Sequence, residues 1–317
     1  LNKTVHLESG KALSYDKLLI ATGSRARIPV SAWSGMQNVY TMRDIHDCAK
    51  LAEKFKSAEN IAVIGGGWIG LEIAATARQQ GKSVEIFEYG SRLCARSVSP
   101  EVSDFLKEMH ENEGTVIHLN STKLHLIEDS EQKIEVFDAD IKLKKFDCVV
   151  VGAGAEIAKE LASQADLVVK DGIAVNEFGQ TSDPHIYAAG DCAIHPTLGF
   201  CIQSWANAQN QAISAAKSML GEMTAYQDIP WLWSDQYQNN IQILGTYKPE
   251  ETAHIIIRKT SDMQQSFFYL NEQKQLINMI AVNDSKNVKL AKRWIASNKV
   301  LNPEQLQDTD FNLMKLK

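Results

Sequence analysis

No apolar run in the 317 residues approaches the ~18 that a membrane-spanning helix requires, which excludes a helical span within them. There is no H-E-x-x-H and no G-x-S-x-G, so the usual zinc-protease and serine-hydrolase signatures are missing. Cysteines are few: Cys48, Cys94, Cys148, Cys192 and Cys201, five in all, with no C-x-x-C pair. Such scattered thiols read as reduced cysteines of a cytoplasmic protein, not as a disulfide framework. The tightest group, Cys192, His195 and Cys201, lacks a fourth ligand and metal-site spacing, so no metal is expected. Positive charge is not in excess. The 33 Lys and Arg stand against 39 Asp and Glu, a net charge of -6, which argues against a general nucleic-acid binder. No internal repeat or low-complexity tract is present. What remains is an ordinary globular composition, 44% hydrophobic and 23% charged, long enough for two or three domains.

The hydrophobic pattern alternates between strand-like and helix-like periods. Val5 and Leu7, a turn at Ser9-Gly10, and Leu18-Leu19-Ile20 read as a hairpin arm, starting at Leu1, that leads into a buried strand. Ala21-Thr22-Gly23 ends that strand. Residues 24–40 hold Pro29 and Gly35 and show little periodicity, as a crossing segment would. Helical spacing follows in Ile45, Cys48, Leu51 and Phe55. A βαβ unit comes next: strand Ile61 to Ile64, a glycine turn, a helix over Leu71 to Gln80 stopped by Gly81, and a strand over Val84 to Glu88. A helix is expected over Pro100 to Glu113, and short strands over 115–146. Further apolar strands end in Gly152-Ala153-Gly154 and in Gly190-Asp191. Helix 205–220 precedes a β-rich region over 229–282 and a helix near Asn287 to Ser297.

Gly65-x-Gly67-x-x-Gly70 joins the strand to the helix of the βαβ unit. Gly65 permits the tight turn, Gly67 lets the backbone approach a pyrophosphate, and Gly70 lets helix and strand pack closely. The helix start offers N–H groups and partial positive charge to phosphates. Glu88 ends the second strand, where a carboxylate accepts hydrogen bonds from the adenosine ribose and repels a 2′-phosphate, favouring NADH over NADPH. Arg92, four residues on, stands within reach of such a phosphate. Trp68 reads as a lid residue in the loop. Glu72 is either a carboxylate favoured by the helix dipole or a group near the nicotinamide. Asp191 either accepts hydrogen bonds from ribityl or ribose hydroxyls or caps the following segment.

These motifs resemble the FAD-dependent pyridine nucleotide reductases. Ala21-Thr22-Gly23, the loop Gly65 to Glu72 and Thr181 to Cys192 match three family signatures in order. Trp231-Leu232-Trp233-Ser234-Asp235-Gln236-Tyr237, Ile241 to Gly245 and Arg293-Trp294-Ile295 are similar to the ferredoxin reductases of bacterial aromatic-ring dioxygenase systems, of the phenylpropionate/cinnamate type. The resemblance implies an α/β fold: two Rossmann-like dinucleotide-binding domains, the FAD one incomplete, plus a C-terminal α+β domain. It implies a discontinuous, partial FAD-binding domain over 1–37 and 146–226, an NAD-binding domain over 38–145 and a C-terminal reductase domain over 227–317. The family carries a further G-x-G-x-x-G ahead of its A-T-G turn. The expectation is therefore an N-terminally truncated chain, starting within the FAD domain.

By the same resemblance, Gly65, Gly67, Trp68, Ile69, Gly70, Glu72 and Glu88 would bind NADH. Thr22, Gly23, Arg27, Gly152, Gly154, Gly190, Asp191, Trp205, Ala208 and Trp233 complete the expected cofactor-binding set, with Arg27 near the FAD pyrophosphate and Trp205 and Ala208 facing the flavin ring. Ile157-Ala158 and Gln203 depart from the family's usual Pro-Asn and Glu. No catalytic side chain is implied. The implied activity carries electrons from NADH through FAD to a ferredoxin, without nucleic acid or membrane. Oligomeric state is left open, a homodimer included. The alternatives are a disulfide reductase or NADH oxidase of the same fold, or an inactive NAD-binding fragment.

Overall fold

The protein is described from a computed structural model that covers Lys3–Leu316; the expected arm's start at Leu1 and the domain's last residue, Lys317, lie outside the described residues. The chain forms two compact units. One comprises the residues through Arg25 together with Glu156–Leu232; the other comprises Ala26–Ala155 and the chain from Trp233 onward.

The second unit is built on a five-stranded parallel sheet in the order Val39–Tyr40, Cys148–Val151, Asn60–Ile64, Ser83–Phe87 and Val116–His118. Continuous apolar runs suit strands buried on both faces, and Ile61, Ala62, Val63, Val149 and Val150 are fully buried. The expected boundary at residue 146 places Cys148–Val151 with the FAD-binding segment. Its parallel pairing with Asn60–Ile64 and Val39–Tyr40 instead brings it into this sheet, where its all-apolar side chains are buried. Helix Trp68–Gln79 follows the central strand. Gly81, at φ +78°, ends it, and Lys82 N–H bonds back to Ala77 O at 3.0 Å. A three-stranded antiparallel flap, Leu124–Glu128, Ile134–Asp138 and Ile141–Phe146, packs Leu126, Ile134, Val136 and Phe146 against Ile64, Phe87 and Val149.

The chain from Trp231 onward forms an antiparallel sheet in the order Trp231–Gln236, Asn239–Gly245, Leu276–Val282, Gln264–Leu270 and His254–Ser261. Helix Ser285–Ala296 buries Val288, Leu290, Ala291 and Trp294, and the Asp284 side chain caps it through Asn287 N–H. Helix Pro100–Asn112 meets this sheet: the Phe105 and Phe267 rings lie 6.3 Å apart, and Ser99 Oγ bonds Tyr269 OH at 2.9 Å. Arg258 is buried and donates to the carbonyls of Leu306, Asp308, Thr309 and Phe311, so a single guanidinium pins the C-terminal loop.

In the first unit, Leu18–Ile20 pairs in parallel with Ile186–Ala188, beside the hairpin Thr4–His6 and Ala12–Ser14. Ile20, Leu167, Ile173, Ile186 and Ala188 form its core. Helix Trp205–Met219 starts at Ser204, whose hydroxyl accepts from Asn207 N–H. Among the described residues no helix is long and apolar enough to cross a membrane.

Candidate functional site

The glycine turn is built by close backbone packing. Gly65 takes φ +108°, donates its N–H to Phe87 O at 2.8 Å, and has no room for a Cβ, which would sit 2.5 Å from Gly152 O. A Cβ on Gly70 would collide with the Gly65 carbonyl oxygen. Gly67 differs: a Cβ there meets nothing within 4 Å. Its surroundings are open, and helix Trp68–Gln79 has no side-chain N-cap, so the first N–H groups of the helix have no side-chain partner there. This arrangement fits a pyrophosphate. Gly152-Ala153-Gly154 lies alongside, with the Gly154 carbonyl accepting from Arg27 N–H at 3.1 Å.

Glu88 sits at the end of the second strand and accepts from Gly66 N–H at 2.5 Å and Gly90 N–H at 2.6 Å. A carboxylate has about four acceptor positions, so two remain for ribose hydroxyls. Arg92 turns away from this role. Its guanidinium donates to Val98 O, Ser103 Oγ and Ala95 O at 2.7–2.9 Å and so ties the following loop.

Trp68 departs from the loop expectation: it is the first residue of the helix, half-buried, and its indole N–H donates to Ser97 Oγ at 3.1 Å. Ile69, beside it, is exposed. Glu72, on the same helix, points into a polar seam that the sequence reading missed. Ser234 Oγ donates to Glu72 Oε1 at 2.6 Å, and Gln236 Nε2 donates to Ser234 Oγ at 2.9 Å. Gln236 Oε1 meets His110 Nε2 at 2.9 Å, and Tyr237 OH meets His110 Nδ1 at 2.9 Å. Ser234, Gln236 and His110 are fully buried. Burial pushes the Glu72 carboxyl up; the Ser234 hydroxyl opposes this, the Asp235 charge adds to it, and the Asp235 N–H opposes it. Burial lowers His110 to about 4, with its bond to Gln236 acting the other way. Two signals for the seam were present in the sequence. Ser234 and Gln236 alternate with exposed Trp233 and Asp235 along one strand, and His110 continues the buried face of Val102 and Leu106.

The remaining expected residues divide between the units. Arg27 and Trp233 belong to the second unit with Gly152 and Gly154, whereas Thr22, Gly23, Gly190, Asp191, Trp205 and Ala208 belong to the first. In the first unit, Thr22 Oγ1 donates to Ala158 O at 2.5 Å, and Gly23 takes φ +68° with open space around it. Ser24 Oγ donates to Asp191 Oδ2 at 3.2 Å, and Gly190 N–H donates to Gln211 Oε1 at 2.8 Å. Ala208 lies against Gly190, where a Cβ would come 3.5 Å from its methyl. Asp191 stands inside the short turn Gly190–Cys192, whose N-cap is Ala189. Trp205 is 65% exposed at its helix start. An open glycine, a strand-end carboxylate and an exposed aromatic fit the polar chain and ring of a flavin.

A glycine-turn βαβ unit with a strand-end acid, a second strand-end carboxylate and an antiparallel C-terminal sheet, all in one chain, define a dinucleotide-dependent oxidoreductase. The chain belongs to the pyridine nucleotide-disulphide oxidoreductase family, whose model matches residues 1–212, and a reductase C-terminal domain matches residues 231–317. It is 32% identical over 313 residues to the ferredoxin–NAD(+) reductase component of the p-cumate 2,3-dioxygenase system of Pseudomonas putida, covering 98% of this chain and 76% of that protein. The ferredoxin reductase for the CYP199A2 system of Rhodopseudomonas palustris superposes with a TM-score of 0.90 at 31% identity, covering 99% of this chain and 78% of that one. The covalent putidaredoxin reductase–putidaredoxin complex gives a TM-score of 0.90 at 32% identity, covering 99% and 77%.

Proposed function

We propose that the chain passes electrons from NADH through FAD to a ferredoxin of an aromatic-ring dioxygenase system, in the cytoplasm. The observation that carries this reading is likeness to ferredoxin reductases along nearly the whole chain, reductase C-terminal domain included. FAD, when bound, takes up the electron pair of NADH and releases electrons singly, as a ferredoxin requires.

The protein's own residues bind and position. The open face at Gly67 and the start of helix Trp68–Gln79 receive the NADH pyrophosphate, with Ile69 bordering it. Glu88, held by two backbone N–H groups, accepts from the adenosine ribose and repels a 2′-phosphate. Arg92, spent on three oxygen acceptors, offers no competing welcome to that phosphate. Trp68, fixed by Ser97, shields the nicotinamide end, and Glu72 accepts a hydrogen bond there. In the first unit, Thr22, Gly23, Gly190, Asp191, Trp205 and Ala208 hold the flavin, while in the second Gly152 packs beside the glycine turn. No side chain needs to act as acid or base.

The test is NADH-dependent reduction of a dioxygenase-type ferredoxin by the chain supplied with FAD. Ferredoxin reduction that saturates with ferredoxin is expected. Reduction of a disulfide, with none of ferredoxin, would overturn the reading in favour of a disulfide reductase.

A further inference from the structure

We infer that Tyr237, His110, Gln236 and Ser234 form a one-way chain of hydrogen-bond donors that holds Glu72 ionised and oriented at the dinucleotide site; the functional meaning of Glu72 rests on the reading above. The direction follows from the donor and acceptor capacity of each group. An ionised carboxylate only accepts, so Ser234 must spend its one O–H on Glu72 Oε1, 2.6 Å away. Ser234 Oγ then accepts, which turns the Gln236 amide nitrogen toward it. Gln236 Oε1 therefore faces His110 Nε2 as an acceptor, so the imidazole carries its proton on Nε2. Nδ1 is left as an acceptor, and the Tyr237 hydroxyl donates to it. Burial keeps His110 neutral down to about pH 4, as a single-proton imidazole must be for this order to hold. Every bond points the same way and ends on the one charge, an arrangement in which successive bonds polarise each other.

Few other groups face the chain. The Asp235 charge disfavours an ionised Glu72, whereas the Asp235 backbone N–H favours it. Thr115 Oγ1 lies 3.4 Å from Tyr237 OH, and the charges acting on Tyr237 are Glu113 and Arg78. Among the described residues, the hydrogen-bond partners of the His110 side chain are Gln236 and Tyr237. These residues come from two helices and a strand turn, and only Glu72 touches the expected nicotinamide side. The other four are positioning residues.

Side-chain carboxyl NMR of Glu72 in the ligand-free full chain tests the inference without any cofactor. His110→Phe and Gln236→Leu each break the donor order. The Glu72 carboxyl is expected to titrate at higher pH in both variants than in the parent, by about half a pH unit or more. His110→Gln, whose amide still donates to Gln236, should return it most of the way. Tyr237→Phe, at a half-buried turn where the fold tolerates the change, should give a smaller shift of the same sign. NADH titration by fluorescence then separates this inference from the functional reading. In the parent, affinity should fall on acidification as Glu72 protonates. In His110→Phe the fall should begin at higher pH, leaving binding about three- to tenfold weaker at pH 6. An unmoved Glu72 titration in all variants, with only thermal stability reduced, would overturn the relay. A relay seen by NMR in a chain that never binds NADH would overturn the functional reading instead.

Discussion

The glycine turn at Gly65–Gly70 and the seam at Ser234–Tyr237 meet the same helix, Trp68–Gln79, one at its start and the other at Glu72, and are specified in opposite ways. The turn works by what is missing: two of its three motif glycines stand where a Cβ would strike backbone, and the third stands where nothing is near. The seam works by what is present, four side chains in hydrogen-bonding order on Glu72. Contacts in the first are made within one βαβ unit and with its neighbouring strand end. Those in the second join residues 126 and 162 positions apart in the chain. A local motif is legible as a pattern; a distant polar pairing is legible only as unexplained polar residues on apolar faces.

The largest expected effect separates the glycines of the turn from each other. Gly70→Ala drives a methyl into the Gly65 carbonyl and should cost about 3 kcal/mol, read as a lowered midpoint in chemical denaturation. Gly67→Ala should leave that midpoint within about 0.5 kcal/mol while weakening NADH binding about tenfold. If both fall together, the distinction between packing glycine and ligand glycine is lost.

Acid should weaken the seam and not the turn. An unfolded imidazole takes up a proton near 6.5, whereas His110 in the folded chain does so near 4. Between these values the unfolded chain holds the extra proton, so stability rises with pH across this window and is lost on acidification. The loss totals roughly 3 kcal/mol and should vanish in His110→Phe. Urea titrations of both proteins between pH 4 and 7 read it directly. At neutral pH, Gln236→Leu should cost about 1–3 kcal/mol, because Ser234 and His110 each lose a buried partner.

Much of this architecture was readable in advance. The apolar runs, Gly81 and the glycine spacing placed the βαβ unit, and the amphipathic spacing placed helix Pro100–Asn112. A glycine-rich approach obscures where helical backbone begins: Gly67 is the N-cap and Trp68 the first helical residue. Cys148–Val151 pairs with Asn60–Ile64 across the expected boundary at 146, because a buried strand carries no mark of which sheet it joins. Arg92 could not be excluded as a phosphate ligand until its three acceptors were located.

Two smaller effects sharpen the turn's role in recognition. Glu88→Gln keeps the shape but removes the charge, and should narrow the preference for NADH over NADPH by about tenfold, measured as the ratio of Kd values. On the C-terminal helix, Lys286, Lys289, Lys292 and Arg293 are exposed opposite its buried face. Charge reversal at Lys289 and Arg293 should raise the KM for ferredoxin a few-fold at low salt and leave NADH binding unchanged.

The central claim is that electrons enter from NADH at the glycine turn and leave to a ferredoxin. Anaerobic mixing of the FAD-supplied chain with NADH and an oxidised dioxygenase-type ferredoxin, followed by the ferredoxin's visible absorbance, tests it most directly. The account predicts bleaching of the ferredoxin that requires NADH, is much slower with NADPH, and slows in Gly67→Ala. A chain that binds NADH and FAD yet leaves the ferredoxin oxidised would contradict it.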